Sequence, residues 1–130
     1  MKIKKLILLS GKSKKGKTKV LRELFDNSKI ILNLNLKNRI ERIGICKIKN
    51  KMVAIVTDGD AISVVKKRFN QLAKCKLKID IVIIACHPTF TNEAIKIYNI
   101  EYALLVPKFG KDVAGTSEDN KILKTIKSLI

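Results

Sequence analysis

The sequence predicts an α/β fold in three layers, with a mainly parallel central sheet and one β-hairpin. Three observations predict it. Apolar runs of strand length alternate along the chain with segments whose apolar residues recur at helical spacing. The stretch Ile79 to Cys86, "IDIVIIAC", is almost continuously apolar, as a strand covered on both faces should be. "RIGICKIKNKMVAIVTDG" reads as two strands around a tight turn at Lys49, Asn50 and Lys51. Alternating strands and helices favour parallel crossovers, and the hairpin requires at least one antiparallel neighbour.

Each element has its own local signal. Lys4 to Ser10 is an apolar run that ends in Ser-Gly, the pattern of a buried first strand. From Lys17 to Asp26, Val20, Leu21, Leu24 and Phe25 recur at helical spacing, and Asn27-Ser28 closes the segment. Lys29 to Leu36, "KIILNLNL", alternates as a second strand. Ile62 to Leu72 places Ile62, Val65, Phe69 and Leu72 on one helical face. Pro88 stops the strand that ends at Cys86, and a short helix over Asn92 to Tyr98 follows, with Thr89 or Thr91 as its cap. Tyr102 to Val106 forms a further strand. Ser117-Glu118-Asp119 opens a last amphipathic helix that buries Ile122, Leu123, Ile126 and Leu129.

Composition bounds the partners. A chain of 130 residues with 46% hydrophobic content suits one domain, residues 1–130, with one core. No apolar run approaches the roughly 20 residues of a transmembrane helix. The start, "MKIKKLILLSGKSKKGKTK", has a basic head and an apolar stretch, but it lacks a small-x-small cleavage site and reads as a buried strand. Cys46, Cys75 and Cys86 are odd in number and show no CxxC or CxxH spacing, so buried thiols in a cytoplasmic protein are expected. The formal net charge of +17 suggests a polyanion partner such as nucleic acid. The bases are overwhelmingly lysine, however, spread along the whole chain, in a sequence also rich in isoleucine and asparagine. Such a bias also follows from AT-rich coding, so nucleic-acid contact is an alternative and not the first reading.

The most specific motif is "GKSKKGKT", Gly11 to Thr18, which fits G-x-x-x-x-G-K-[ST] at every fixed position. At average residue frequencies, a chain of this length matches by accident on the order of once in a few hundred sequences. The motif follows a predicted strand and opens a predicted helix, as it must. A loop wrapped around phosphate needs backbone N–H groups turned inward, and glycine permits that conformation and the close approach. The start of the helix near Gly16 adds its dipole and unpaired N–H groups. Lys17 is placed to reach the β- and γ-phosphates, and Thr18 to offer its hydroxyl to Mg²⁺.

Through these residues the chain resembles the P-loop NTPase superfamily. The resemblance implies a three-layer P-loop NTPase-like fold that binds ATP or GTP with Mg²⁺. It also implies a phosphate cradle formed by Gly11, Lys12, Ser13, Lys14, Lys15, Gly16, Lys17 and Thr18. The departure is Lys14, where many members carry a small residue. The central half of the chain is also similar to small stand-alone P-loop proteins of bacteria, for which no activity is established.

A phosphate site of this kind uses a carboxylate at the end of another apolar strand. In "MVAIVTDGD", Asp58 follows Val53 to Val56 and resembles a Walker B aspartate, a metal-holding and catalytic candidate with Thr18. Asp60 is a second carboxylate, suited to orienting water or a substrate hydroxyl. Asp-Gly-Asp is equally the signature of a turn followed by a helix cap. At the end of the next strand, Cys86, His87 and Thr89 would face the crevice where parallel sheets bind ligands. His87 is a candidate for a phosphate sensor or general acid/base, or a structural histidine. Glu93 reads as a first-turn helix acid. Arg39 and Arg42 could approach a phosphate, and Phe109, in the loop Val106 to Asp119, could stack on a base. The chain has no Asn-Lys-x-Asp guanine-reading motif, so ATP is expected over GTP. It also has no transporter-type signature and no arginine-bearing lid. The first expectation is a Mg-dependent ATPase whose catalytic residues are Lys17, Asp58, Asp60 and His87. A small-molecule or nucleotide kinase is the alternative, and a basic nucleic-acid-binding protein the second alternative.

Overall fold

The structure is a computed structural model and describes residues 1–11, 16–34, 40–108 and 117–130. Its elements in chain order are β1 (Lys5–Ser10), α1 (Lys17–Asp26), β2 (Lys29–Asn33), β3 (Ile43–Ile48) and β4 (Lys51–Gly59). Then come α2 (Ile62–Lys74), β5 (Ile81–Cys86), α3 (Thr91–Ile97), β6 (Leu104–Pro107) and α4 (Ser117–Leu129). A 3-10 turn at Pro88–Phe90 precedes α3.

The strands form one six-stranded sheet in the order β2-β3-β4-β5-β1-β6. β1 runs parallel to β5 and to β6, and β4 runs parallel to β5. β2 and β3 add antiparallel at one edge, so the sheet is mixed. The predicted hairpin is β3–β4. Its turn residues, Lys49 and Asn50, have φ of 51° and 63°. A two-residue hairpin loop of this hand matches the right-handed twist of its strands. Lys51 belongs to β4 and not to the turn.

Alternation along the strands divides the core in two. Ile7, Leu9, Val53, Ile55, Ile83 and Ala85 pack beneath α1 and α4. Leu6, Leu8, Ala54, Val56, Val82 and Ile84 pack beneath α2 and α3. The helical spacing seen in the sequence faces these surfaces. Val20, Leu21, Leu24 and Phe25 of α1 are buried, as are Val65 and Leu72 of α2. In α4, Ile122 and Ile126 are buried, and Leu123 and Leu129 pack partly against them. A three-layer α/β/α arrangement follows, because each face of the sheet has an apolar stripe that only a helix pair covers.

Three expectations shift. β2 ends at Asn33 and leaves Ile30 and Ile31 exposed on an edge strand. Leu36 lies outside the described residues. β6 begins at Leu104 rather than Tyr102, because pairing with β1 starts at Ile7↔Leu104, and Tyr102 is 68% exposed. Neither Thr89 nor Thr91 caps α3. Its cap residue is Phe90, and the Thr91 hydroxyl donates instead to the Pro88 carbonyl at 3.2 Å. Among the described residues, no helix is long and apolar enough to cross a membrane.

Candidate functional site

β1 ends at Ser10 in the interior of the sheet, between β5 and β6, and its C-terminal end meets the first turn of α1. Two backbone bonds fix the chain there. The Gly11 N–H donates to the Cys86 carbonyl at 3.2 Å, and the Lys108 N–H donates to the Ser10 carbonyl at 2.8 Å. A Cβ on Gly11 would stand 2.7 Å from the Lys108 carbonyl oxygen, so only glycine fits between the strand ends. Gly16, the cap residue of α1, has φ 83°, a left-handed conformation that favours glycine. Both fixed glycines of the motif thus have steric reasons to be glycine. Lys12, Ser13, Lys14 and Lys15 lie outside the described residues.

Lys17 opens α1 and is 4% exposed. Its ammonium donates to the Gly11 carbonyl and pairs with Asp60 Oδ1 at 2.6 Å. The side chain therefore bends back across the end of β1. Thr18, one residue on, donates its hydroxyl to the Thr57 carbonyl at 3.2 Å. Thr57 is itself buried, and its hydroxyl donates to Glu41 and accepts the Arg42 N–H at 2.8 Å. The first turn of α1 is thereby tied to the end of β4, although β5 lies between β4 and β1 in the sheet.

The two carboxylates of Asp-Gly-Asp face different partners. Asp58 meets the Arg68 guanidinium of α2, with Nε at 3.0 Å and Nη2 at 2.6 Å from Oδ2. Asp60, 42% exposed at its side chain, meets Lys17. The structure thus brings Asp60 to the loop lysine and ties Asp58 to α2. Strand geometry explains the split. Asp58 keeps the parity of Ala54 and Val56, which face α2. Beyond Val56 the register with β5 shifts, from Val56↔Ile84 to Gly59↔Cys86, and this bulge re-aims the residues that follow.

Residues on β5 and beyond contribute less. His87 accepts the Thr89 N–H on Nδ1 at 3.2 Å and caps the 3-10 turn, which is a structural task. Cys86 is fully buried, and burial pushes its thiol up to about 11. Lys17 pulls that value down by less, and Asp60 and Glu93 push it up. A protonated, inaccessible thiol is a packing group, not a nucleophile. Glu93 stands in the first turn of α3, as expected. Arg42 is held by Asp26 at 2.8 and 3.1 Å, at the last turn of α1 and far from its N-terminal end. Arg39 and Phe109 lie outside the described residues.

Sequence reasoning did not single out Lys108. It is 4% exposed, and its ammonium pairs with Glu118 at 2.7 Å and Asp119 at 2.8 Å. Burial works against its charge, but hydrogen bonds to Asp119 and Glu118 outweigh that and hold its pKa above the ordinary lysine value. The available signal was positional: Lys108 follows the end of a parallel strand adjacent to β1. No family model, curated protein or solved structure matches the chain.

Among the described residues, no group of three or more His, Cys, Asp or Glu is placed to hold a metal ion. The oxygens that meet the Lys17 ammonium are the Gly11 carbonyl and the Asp60 carboxylate, and Thr18, the next residue, carries a hydroxyl. Such hard donors suit Mg²⁺, which takes few protein ligands and keeps several waters. A cleft of about 440 Å³ lies at the opposite end of α1, beside Asn27, Lys47 and Lys127, and among the described residues none of the candidates lines it.

Proposed function

We propose that the chain binds the polyphosphate of a nucleoside triphosphate, ATP in the first place, at the junction of β1 and α1. We propose further that it acts there as a Mg-dependent ATPase. The observation that carries this reading is Lys17, a buried lysine at the N-terminus of a helix, whose ammonium lies on the Gly11 carbonyl and on Asp60. A buried ammonium at the positive end of a helix is unfavourable unless anions face it. Phosphate oxygens supply that charge, and the unpaired N–H groups of the first turn supply donors for them.

In this reading Lys17 holds phosphoryl oxygens and stabilises the charge that develops on them. Thr18 and Asp60 would hold the metal, which would add positive charge to that of Lys17 at the phosphates. Asp60 takes this role in place of Asp58, because the Asp58 carboxylate is engaged by Arg68. Once phosphate replaces it on Lys17, Asp60 is also placed to orient water. His87 is left as a turn cap.

Titration calorimetry with Mg-ATP and Mg-GTP tests the reading. Wild type is expected to bind Mg-ATP more tightly than Mg-GTP, and Lys17→Ala to lose about tenfold or more in affinity. No heat from either nucleotide at millimolar concentration refutes it.

A further inference from the structure

Lys17 is not the only buried ammonium at the start of α1. Lys108 packs its side chain against Gly16, with Cε 3.3 Å and Nζ 3.7 Å from the place where a Cβ on that glycine would lie. Its backbone is fixed to Ser10 at the end of β1, so its position follows from the sheet and not from a surface loop. Two lysines, each 4% exposed, thus crowd the positive end of one helix whose own first turn carries no acidic residue. Burial and the helix dipole both oppose that charge.

The counter-charges come from elsewhere in the chain. Asp60 follows β4, and Glu118 and Asp119 belong to α4. The carboxylates also lie nearer solvent than the lysines. Their side chains are 42%, 35% and 15% exposed, against 4% for Lys17 and 2% for Lys108. An anion arriving from solvent therefore meets the carboxylates first and the ammonium groups behind them. Phosphate oxygens offer lysine the same charge-assisted hydrogen bonds that the carboxylates do.

We propose that Lys108 is a second polyphosphate-binding lysine of this site, held in reserve by Glu118 and Asp119 and taken over by ligand phosphate. This inference rests on nucleotide binding at the β1–α1 junction. The arrangement selects for a chain of phosphates, since two ammonium groups with separate partners are engaged by one extended anion.

Opposite effects of the two sides of the cluster test it. Calorimetry with Mg-ATP would compare wild type, Lys108→Met, Glu118→Gln and the double variant Glu118→Gln/Asp119→Asn, with helix content confirmed by circular dichroism. Lys108→Met is expected to weaken binding about tenfold or more. The carboxylate variants are expected to tighten it, the double variant by several fold, because Lys108 no longer has to leave a partner. A cluster that only clamps α4 would give no tightening in any variant. Binding by the carboxylate variants no tighter than that of wild type overturns the proposal, as does a folded Lys108→Met that binds as wild type does. If Lys108→Met fails to fold, Glu118→Gln decides, because Asp119 still anchors the lysine in that variant. Absence of binding by wild type overturns this inference together with the nucleotide reading. Wild-type binding with no change in the variants overturns this inference alone.

Discussion

The aspartates at positions 58 and 60 make opposite predictions for nucleotide binding although one residue separates them. Asp58 shares a half-buried, two-pronged contact with Arg68. Asp58→Asn should therefore cost stability, about 1–2 kcal/mol by the worth of charge-assisted pairs, and leave nucleotide affinity nearly unchanged. Asp60→Asn should lower the urea midpoint as well, because it leaves the buried Lys17 ammonium facing a neutral amide, and should in addition alter Mg-ATP binding and turnover. Loss of turnover in Asp58→Asn, with Asp60→Asn unaffected, would reverse the assignment. Tyr98 supplies a second residue-level test. Its ring packs edge-on to Phe69 at 5.0 Å, but its buried hydroxyl has no hydrogen-bond partner among the described residues. Burial, with Asp58 adding to it, holds that phenol far above its ordinary pKa. An unpaired buried hydroxyl costs about 1–3 kcal/mol, so Tyr98→Phe should raise the urea midpoint. A lower midpoint would mean that the hydroxyl is bonded in solution. The thiols give the pH dependence. Burial raises Cys46 and Cys86 from 9.0 to about 11. Between those values the folded chain keeps protons that the unfolded chain releases. The stability they contribute is therefore complete below pH 9.0 and is lost as pH rises toward about 11. At pH 8, a thiol reagent should find Cys75, which is half-buried, well before Cys46 and Cys86. Three equally fast thiols would contradict the packing.

At the scale of elements, α1 joins fold to site, and Gly16 is where the two meet. Its φ of 83° belongs to a region where an L-residue loses about 1–2 kcal/mol, and a Cβ there would press on Lys108 Cε at 3.3 Å. Gly16→Ala should lower the urea midpoint accordingly and weaken Mg-ATP binding, because the first turn of α1 and Lys108 would both shift. An alanine variant of wild-type stability would show that the turn is not held left-handed. Elements of this kind were legible in the sequence because their signals are local. The bounds of α1, the β3–β4 hairpin and the continuous apolar run of β5 all follow from periodicity and turn chemistry. What was not legible depends on pairing. The aromatic Tyr102 resembles a strand residue, yet β1 offers it no partner. The division of labour between Asp58 and Asp60 hangs on a bulge between β4 and β5, and a bulge is a relation between two strands that neither sequence shows. Lys108 escaped notice for the same reason. It stands 91 positions from Lys17 in sequence, and only the placement of β6 beside β1 brings it to Gly16.

For the whole molecule the charge of +17 sets two trends of opposite sign. A domain of this size has a radius of gyration of about 14 Å. At about 10 mM salt the screening length is about 30 Å, so lysines on all faces repel one another, whereas at about 150 mM it is about 8 Å and only neighbours do. Self-repulsion destabilises the compact state. Raising sodium chloride across that range should therefore raise the melting midpoint by a few degrees, on the order of 2–6 °C by the usual size scaling. Mg-ATP should stabilise as well, through mass action, but its effect should shrink over the same range because salt weakens its attraction to the lysines. The combination separates two origins of the lysine excess. A charge spread evenly over the surface predicts that Lys17→Ala keeps the full salt-dependent rise while losing the nucleotide-dependent one. A charge serving the site alone predicts that removing Lys17 abolishes both. Melting curves of wild type and Lys17→Ala, at low and moderate salt and with and without Mg-ATP, should therefore show the salt term unchanged and the nucleotide term absent in the variant. Loss of the salt term in Lys17→Ala would locate the repulsion at the start of α1, where Lys17 and Lys108 lie, rather than across the surface.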